Sequence, residues 1–233
     1  TDQLRTTVPV ENGEPAGRTV VKVLAKSTHL IFGINCFDPN PSEIISFSKL
    51  RDTDLENEDH VRLVIDPFLD GQSGYIFAVN ANGARYDALV SNRGESENSN
   101  WDAIWDAATY VHSEGWSVEI MIPIQSISFK KGLTEWGFNV ERRIQRLLET
   151  IRWTNIKRDQ WFIQTSRAGL LTGLPQFNYG LGLNIRPSLI LRSEKKAKAA
   201  SKSSFDPSLD ISQRIGPNIT ASLTINTDLL NQM

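Results

Sequence analysis

The side chains best suited to chemistry in this chain are carboxylates, tryptophans and arginines, and their spacing fits holding a ligand better than breaking a bond. The acidic run DTDLENED, Asp52 to Asp59, sets carboxylates at alternate positions, and Asp52, Asp54 and Asp59 are candidate oxygen ligands for calcium. The run lacks the glycine and the closing Glu of the helix-loop-helix calcium motif, so a solvated acidic loop is its other reading. Trp101 and Trp105 lie four residues apart in SENSNWDAIWDAA. That spacing places both rings on one face of a helical turn, fit to stack on a pyranose or to plug the end of a folded core. Between Glu141 and Arg167, the basic residues Arg142, Arg143, Arg146, Arg152, Lys157, Arg158 and Arg167 interleave with Trp153 and Trp161. Such a stretch is either a surface of mixed charge or a groove for a polyanion.

Other chemistries find little support. Glycoside hydrolysis needs two carboxylates facing each other across a cleft; Asp52, Asp54, Asp66, Asp87 and Glu119 are available, but no spacing singles out a pair. His29, His60 and His112 are too scattered for a zinc site. No nucleophile elbow or phosphate loop is present. Cys36 is the only cysteine, which excludes an intrachain disulfide; in LIFGINCF it reads as a small core residue. With 25 Lys and Arg against 27 Asp and Glu, the chain has no bulk field for a polyanion, and no nucleic-acid partner is expected.

The elements that must position these residues are strands. RTVVKVLA and HLIFGINCF form a hairpin across Lys26-Ser27 over residues 18–37. Val61, Leu63 and Ile65 alternate with His60, Arg62 and Val64. Residues 74–79 and 84–90 make a second hairpin, where Asn82-Gly83 suits a turn with positive φ. AATYVHSEGWSVEIMIPI makes a third, turning at Glu114-Gly115, and WGFNVERR adds a strand. Helix is expected only as two turns in IQRLLETI and one or two in WDAIWDAA. Many short strands separated by turn residues predict an all-β fold, an antiparallel β-sandwich, over residues 1–178.

The tail, residues 179–233, differs. Leu183, Ile185, Pro187, Leu189 and Leu191 alternate with polar residues; after a linker, SEKKAKAASKSS, Leu209 and Ile211 do so, and then Ile219, Ala221, Leu223 and Ile225. Dyad alternation with one polar face is the pattern of outer-membrane barrel strands, and also of amphipathic strands in a soluble sheet. On the barrel reading, the short turn Ile215-Gly216-Pro217-Asn218 lies on the periplasmic side, and three strands are only the start of a barrel, since an open edge in lipid leaves backbone groups unsatisfied. No apolar run is long enough for a membrane helix. The chain opens at Thr1 without a charged n-region or apolar h-region, so it reads as a processed or trimmed form from which any export signal has been removed.

Taken in order, RTVVKVLA…LIFGINCFDPNP, VRLVIDPFLDGQSGYIFAVNANGARYDA, WDAIWDAA, GWSVEIMIPIQSISF, WGFNVERRI and GLLTGL resemble one family of Gram-negative bacterial proteins. These open with a domain similar to carbohydrate-binding module family 9, a DOMON-like β-sandwich, and continue into an outer-membrane-type barrel. The resemblance runs from about Arg18 onward, and LDISQRIGPNITASLTINTDL is similar to the family's first barrel strands. It implies an exported protein of the periplasm or outer membrane, a glycan ligand, and the barrel and outer membrane as partners. Sugar-binding relatives place an acidic residue where this chain has Arg62, and an arginine where it has Ala78; Asn80 is retained. The expected function is therefore a non-catalytic carbohydrate-binding module of the cell envelope. Trp101 and Trp105 would stack on the sugar, Asn80 and Asn139 would bond hydroxyls, and Arg62 or Arg143 would meet an acidic or hydroxyl-rich face. Two alternatives stand beside it: an accessory part of a glycoside hydrolase in carbohydrate catabolism, and a plug for the barrel that binds no sugar. Calcium is the one cofactor the acidic run suggests; a haem, as in some DOMON relatives, would need axial ligands, and Met121 lies in an apolar strand.

Overall fold

The computed structural model describes residues 1–177, 183–194, 202–215 and 219–225. The chain divides into two units, Thr1–Asn178 and Tyr179–Met233.

The first unit is an antiparallel β-sandwich, as the alternation predicts. Its strands are β1 (Arg5–Val8), β2 (Thr19–Ala25), β3 (His29–Phe37), β4 (His60–Asp66), β5 (Gly74–Asn80), β6 (Arg85–Ser91), β7 (Ser96–Asn98), β8 (Asp106–His112), β9 (Gly115–Pro123), β10 (Glu135–Ile144), β11 (Glu149–Arg152) and β12 (Gly169–Thr172). The larger sheet runs β1-β11-β10-β4-β5-β6-β7, with β12 also on β10; the smaller runs β2-β3-β9-β8. The three expected hairpins form, with registers Ala25↔Leu30, Val79↔Arg85 and His112↔Gly115. Gly83 at φ +85° supplies the conformation its turn needs.

Between the layers Phe32 of β3 stacks on Phe138 of β10 with ring centroids 5.4 Å apart. Ile65 lies opposite Phe138, and Leu63 opposite Val140 and Phe77, so Val61, Leu63, Ile65 and Phe77 all point into this core and are fully buried. Each such side chain contributes about 1.5–3 kcal/mol by leaving water. Cys36 is buried as expected, and burial pushes its thiol up to about 11.

Two local expectations fail. IQRLLETI is not helical: Gln145–Leu147 is a single 3-10 turn, Leu148 sits at φ +51°, and Glu149–Arg152 pairs with β10. Pairing with a long neighbouring strand outweighs two turns of isolated helix, which are marginal alone. WDAIWDAA is not helical either; residues 101–105 are irregular and β8 starts at Asp106.

The second unit is a three-stranded antiparallel sheet of β13 (Leu183–Glu194), β14 (Lys202–Ile215) and β15 (Ile219–Ile225). The supposed linker is shorter than expected, because Ser193 and Glu194 pair with Ser203 and Lys202. Residues 195–201, the turn at 216–218 and the Gly180–Gly182 stretch lie outside the described residues. Ile185, Ile211 and Leu223 share one row, and Pro187, Leu209 and Ile225 the next. Within this sheet Ile185, Leu189, Leu223 and Ile225 are each more than half exposed. Among the described residues no helix is long and apolar enough to cross a membrane.

Candidate functional site

The outward face of the larger sheet has two halves. In one, Val64, Ile76, Ala88 and Val90 form an apolar patch roofed by Phe162, with Ile163 beside it. In the other, the row Arg62–Ala78–Tyr86 crosses β4, β5 and β6 and is covered only in part: Leu55 packs on Ala78 and Tyr86, while Arg62 and Tyr86 stay half-buried. A cleft of about 530 Å³ opens there, lined by Arg62, His60, Ala78, Tyr86, Glu97 and the acidic loop with Asp52, Asp54 and Glu56.

Arg62 is held in place without being consumed. Its guanidinium lies 5.5 Å from the Phe162 ring centroid and donates to both Glu97 carboxylate oxygens, at 3.4 and 3.5 Å. Those bonds are long for a charge-assisted pair. The Tyr86 hydroxyl donates to Glu97 at 2.6 Å, and burial followed by that bond raises its pKa, so it remains a donor. His60 is buried, with Nδ1 2.9 Å from the Glu58 carbonyl; burial lowers its pKa against the opposing pull of Glu141, keeping the ring neutral near pH 7. Four carboxylates line the cleft against one guanidinium, so the surface offers acceptors and donors to hydroxyls and repels anions.

Of the residues expected to bind sugar, Arg62 alone lines this cleft. Asn80 is fully buried and its polar capacity is spent: Oδ1 accepts from Asn82 and Ala84 N–H, and the amide donates to the Ser48 carbonyl and the Glu58 carboxylate. Asn139 is equally buried and clamps Thr154, donating to its carbonyl and accepting from its N–H at 3.0 Å each. Arg143 donates to Gln145 and Thr150.

Both tryptophans meet Phe77, but they differ in burial. Trp105 is buried at 2% exposure between the layers, edge-on to Phe77 at 5.2 Å, and its Nε1 donates to Asp87 at 3.0 Å. It plugs the sandwich, the other of its two readings. Trp101 is half-buried, with its ring 4.8 Å from Tyr75.

The acidic trio does not converge. Asp52 and Asp54 border the cleft, while Asp59 is buried elsewhere and accepts from Ile45 and Gln145 N–H. Among the described residues no group of three or more His, Cys, Asp or Glu is placed to hold a metal. Asp66 and Asp87 are structural carboxylates: Asp66 caps its turn through the N–H groups of Phe68, Leu69 and Gly71, and Asp87 receives Arg51, Ala103 N–H and Trp105. The basic stretch dissolves into internal partners. Arg142 is fully buried on Gly17, Arg18 and Thr19, Arg146 pairs with Asp38 and Glu43, and Arg152 pairs with Glu141.

No protein-family profile and no curated protein matches the chain. Solved structures do. A candidate carbohydrate-binding protein from Bacteroides uniformis superposes with TM-score 0.56 at 11% identity, over 73% of this chain and 86% of that one. A carbohydrate-binding module of family 9 from Caldicellulosiruptor kristjanssonii, in complex with glucose and with cellotriose, gives TM-score 0.51 at 13% identity, over 76% and 86%. At these identities the likeness is one of fold: the chain carries the β-sandwich found in carbohydrate-binding proteins, family 9 among them.

Proposed function

We propose that the chain is a carbohydrate-binding module whose site is the cleft over Arg62, Ala78 and Tyr86. The observation that carries this reading is the open cleft lined by Arg62, Tyr86, Glu97 and the acidic loop, in a fold whose solved examples include sugar complexes. Arg62 donates to ring or hydroxyl oxygens, and Glu97 and the Asp52–Glu56 loop accept from hydroxyls. The surplus of carboxylates selects a neutral, hydroxyl-rich glycan over a uronate. Calorimetry with cellotriose and a panel of neutral oligosaccharides tests this, comparing Arg62→Ala and Tyr86→Phe with the unaltered chain. A charge-assisted bond contributes about 1.5–3 kcal/mol, so Arg62→Ala should weaken binding roughly tenfold or more. Unaltered affinity in both variants removes the cleft from the proposal.

A second reading concerns Tyr179–Met233. The rows Ile185–Ile211–Leu223 and Pro187–Leu209–Ile225 support a lipid-facing surface, with Arg186, Asp210 and Thr224 aligned on the other face. This fits a DOMON-like sandwich joined to outer-membrane barrel strands in a Gram-negative cell envelope. Flotation with phosphatidylcholine vesicles tests it: the chain should float, and Leu223→Asp with Ile185→Asp should sink, since charge on a lipid face costs up to about 2–4 kcal/mol. Equal sedimentation of both proteins refutes it.

A further inference from the structure

We propose that the outward face of the smaller sheet is a second binding site, a shallow trough that takes an uncharged, unbranched glycan chain. The trough is distinct from the cleft and borrows from the preceding reading only the chemical class of its ligand.

Gly33 is the starting observation. Among the described glycines, each of the others either has positive φ or would drive an added Cβ to 3.0 Å or closer to a neighbour. Gly33 has neither: it lies mid-strand in β3, and a Cβ built there meets nothing within 4 Å. Neither backbone conformation nor packing within the chain requires this glycine, and glycine weakens a strand interior. What it leaves is space for something approaching the sheet from outside.

The register shows the shape of that space. Lys22, Gly33, Glu119 and Ala108 form one row across β2, β3, β9 and β8. The row Val20–Asn35–Ser117–Tyr110 walls it on one side. Gly33, and Ala108 beyond Glu119, are the low points of a trough of about 320 Å³. Strands ~4.8 Å apart leave roughly 10 Å between the Lys22 and Glu119 positions, room for one or two rings of a chain.

Its surface suits sugar. Tyr110 is 69% exposed, a flat ring at the trough's edge with His112 stacked against it at 6.1 Å. Lys22, Asn35, Ser117 and Glu119 make no side-chain hydrogen bond or ion pair among the described residues, so both donors and acceptors are free for hydroxyls. The single lysine and single glutamate cancel, which matches a neutral chain and neither a polyanion nor a polycation. The recess is one side chain deep, which excludes branches.

Amide chemical shifts of the whole ¹⁵N-labelled chain, titrated with cello-, malto-, xylo- and mannotriose, test the trough. The expected result is saturable shifts at Gly33, Ser117 and Tyr110 with at least one of them, kept in Arg62→Ala and weakened tenfold or more in Gly33→Leu and Tyr110→Ala. Gly33→Ala should raise the melting temperature, which shows that the native glycine is not there for stability. Shifts confined to Arg62, Tyr86 and Glu97 overturn the trough and leave the cleft standing. Shifts at the trough alone support it and overturn the cleft. No saturable shift with any of the four overturns both. A sedimentation coefficient that rises with concentration in the unaltered chain but not in Gly33→Leu also overturns the proposal, because the face would then be an interface between copies.

Discussion

Replacing Trp105 by phenylalanine separates a sugar platform from a core plug. In the fold the indole is 2% exposed, its N–H donates to Asp87, and Asp87 is itself fully buried. Phenylalanine keeps the edge-on contact with Phe77 but removes the donor. Asp87 retains Arg51 at 2.7 Å and Ala103 N–H at 2.7 Å, so the loss is one bond of three. A hydrogen bond to a charged acceptor contributes about 1.5–3 kcal/mol, and the smaller ring leaves a cavity costing on the order of 1 kcal/mol more. For a domain of this size about 2–4 °C of melting temperature follows each kcal/mol, so Trp105→Phe should melt roughly 5–15 °C lower. Its affinity for cellotriose should change less than twofold. Thermal unfolding by circular dichroism and calorimetry on the same samples give both numbers. An unchanged melting temperature with a tenfold loss of affinity would show that the ring meets ligand, and the assignment of Trp105 to the core would be wrong.

Three further outcomes follow from buried polar groups. Asn139→Ala should cost about 1–3 kcal/mol by leaving both backbone groups of Thr154 without their partner; proteolysis should then cut within residues 153–168 before the rest of the sandwich. His60 binds its proton less readily folded than at its unfolded value near 6.5, so the unfolded state takes up more protons as pH falls through that value. The folded chain should therefore lose stability from about pH 7 downward until the folded pKa is passed, and His60→Gln should flatten that limb in melting curves taken across pH 5–7.5. Cys36, buried and with its thiol pushed up to about 11, should react with an aromatic disulfide reagent at pH 8 only as fast as the domain unfolds.

The sandwich was readable because strand alternation and turn residues are local signals: Asn82-Gly83 marks its hairpin whatever lies nearby. IQRLLETI misled because its apolar spacing suits a helix, while its fate is set by the open edge of β10. Trp105 misled for the same reason. The partner that draws Trp105 inward is Asp87, 18 residues earlier, and no local pattern links them. Asn80 and Asn139 look like ligand-binding residues in sequence because a buried amide that satisfies backbone groups and an exposed one that bonds a sugar have the same identity. Tyr86 and Glu97 were missed although RYDALV alternates plainly. Which face Tyr86 shares with Arg62 depends on the order β4-β5-β6-β7, and that order is tertiary.

Ala78 shows how much a small residue can say once that order is known. The resemblance to sugar-binding relatives marks Ala78 as a lost arginine, a defect in the site. In the fold Ala78 lies directly between Arg62 and Tyr86, on the central strand under the cleft, with Leu55 packed on it. A long side chain there would fill the gap that now forms the floor of the cleft, so the same substitution that removes a polar contact also creates the recess. Gly33 stands in the same relation to Lys22 and Glu119 on the opposite sheet. Each recess comes from a small outward residue on an inner strand with long polar neighbours in register on both sides. A sheet tiled evenly with long side chains has no such gaps. On both faces, then, the proposed recess is the place of a missing side chain, and the polar residues beside it are the ones left to meet a ligand.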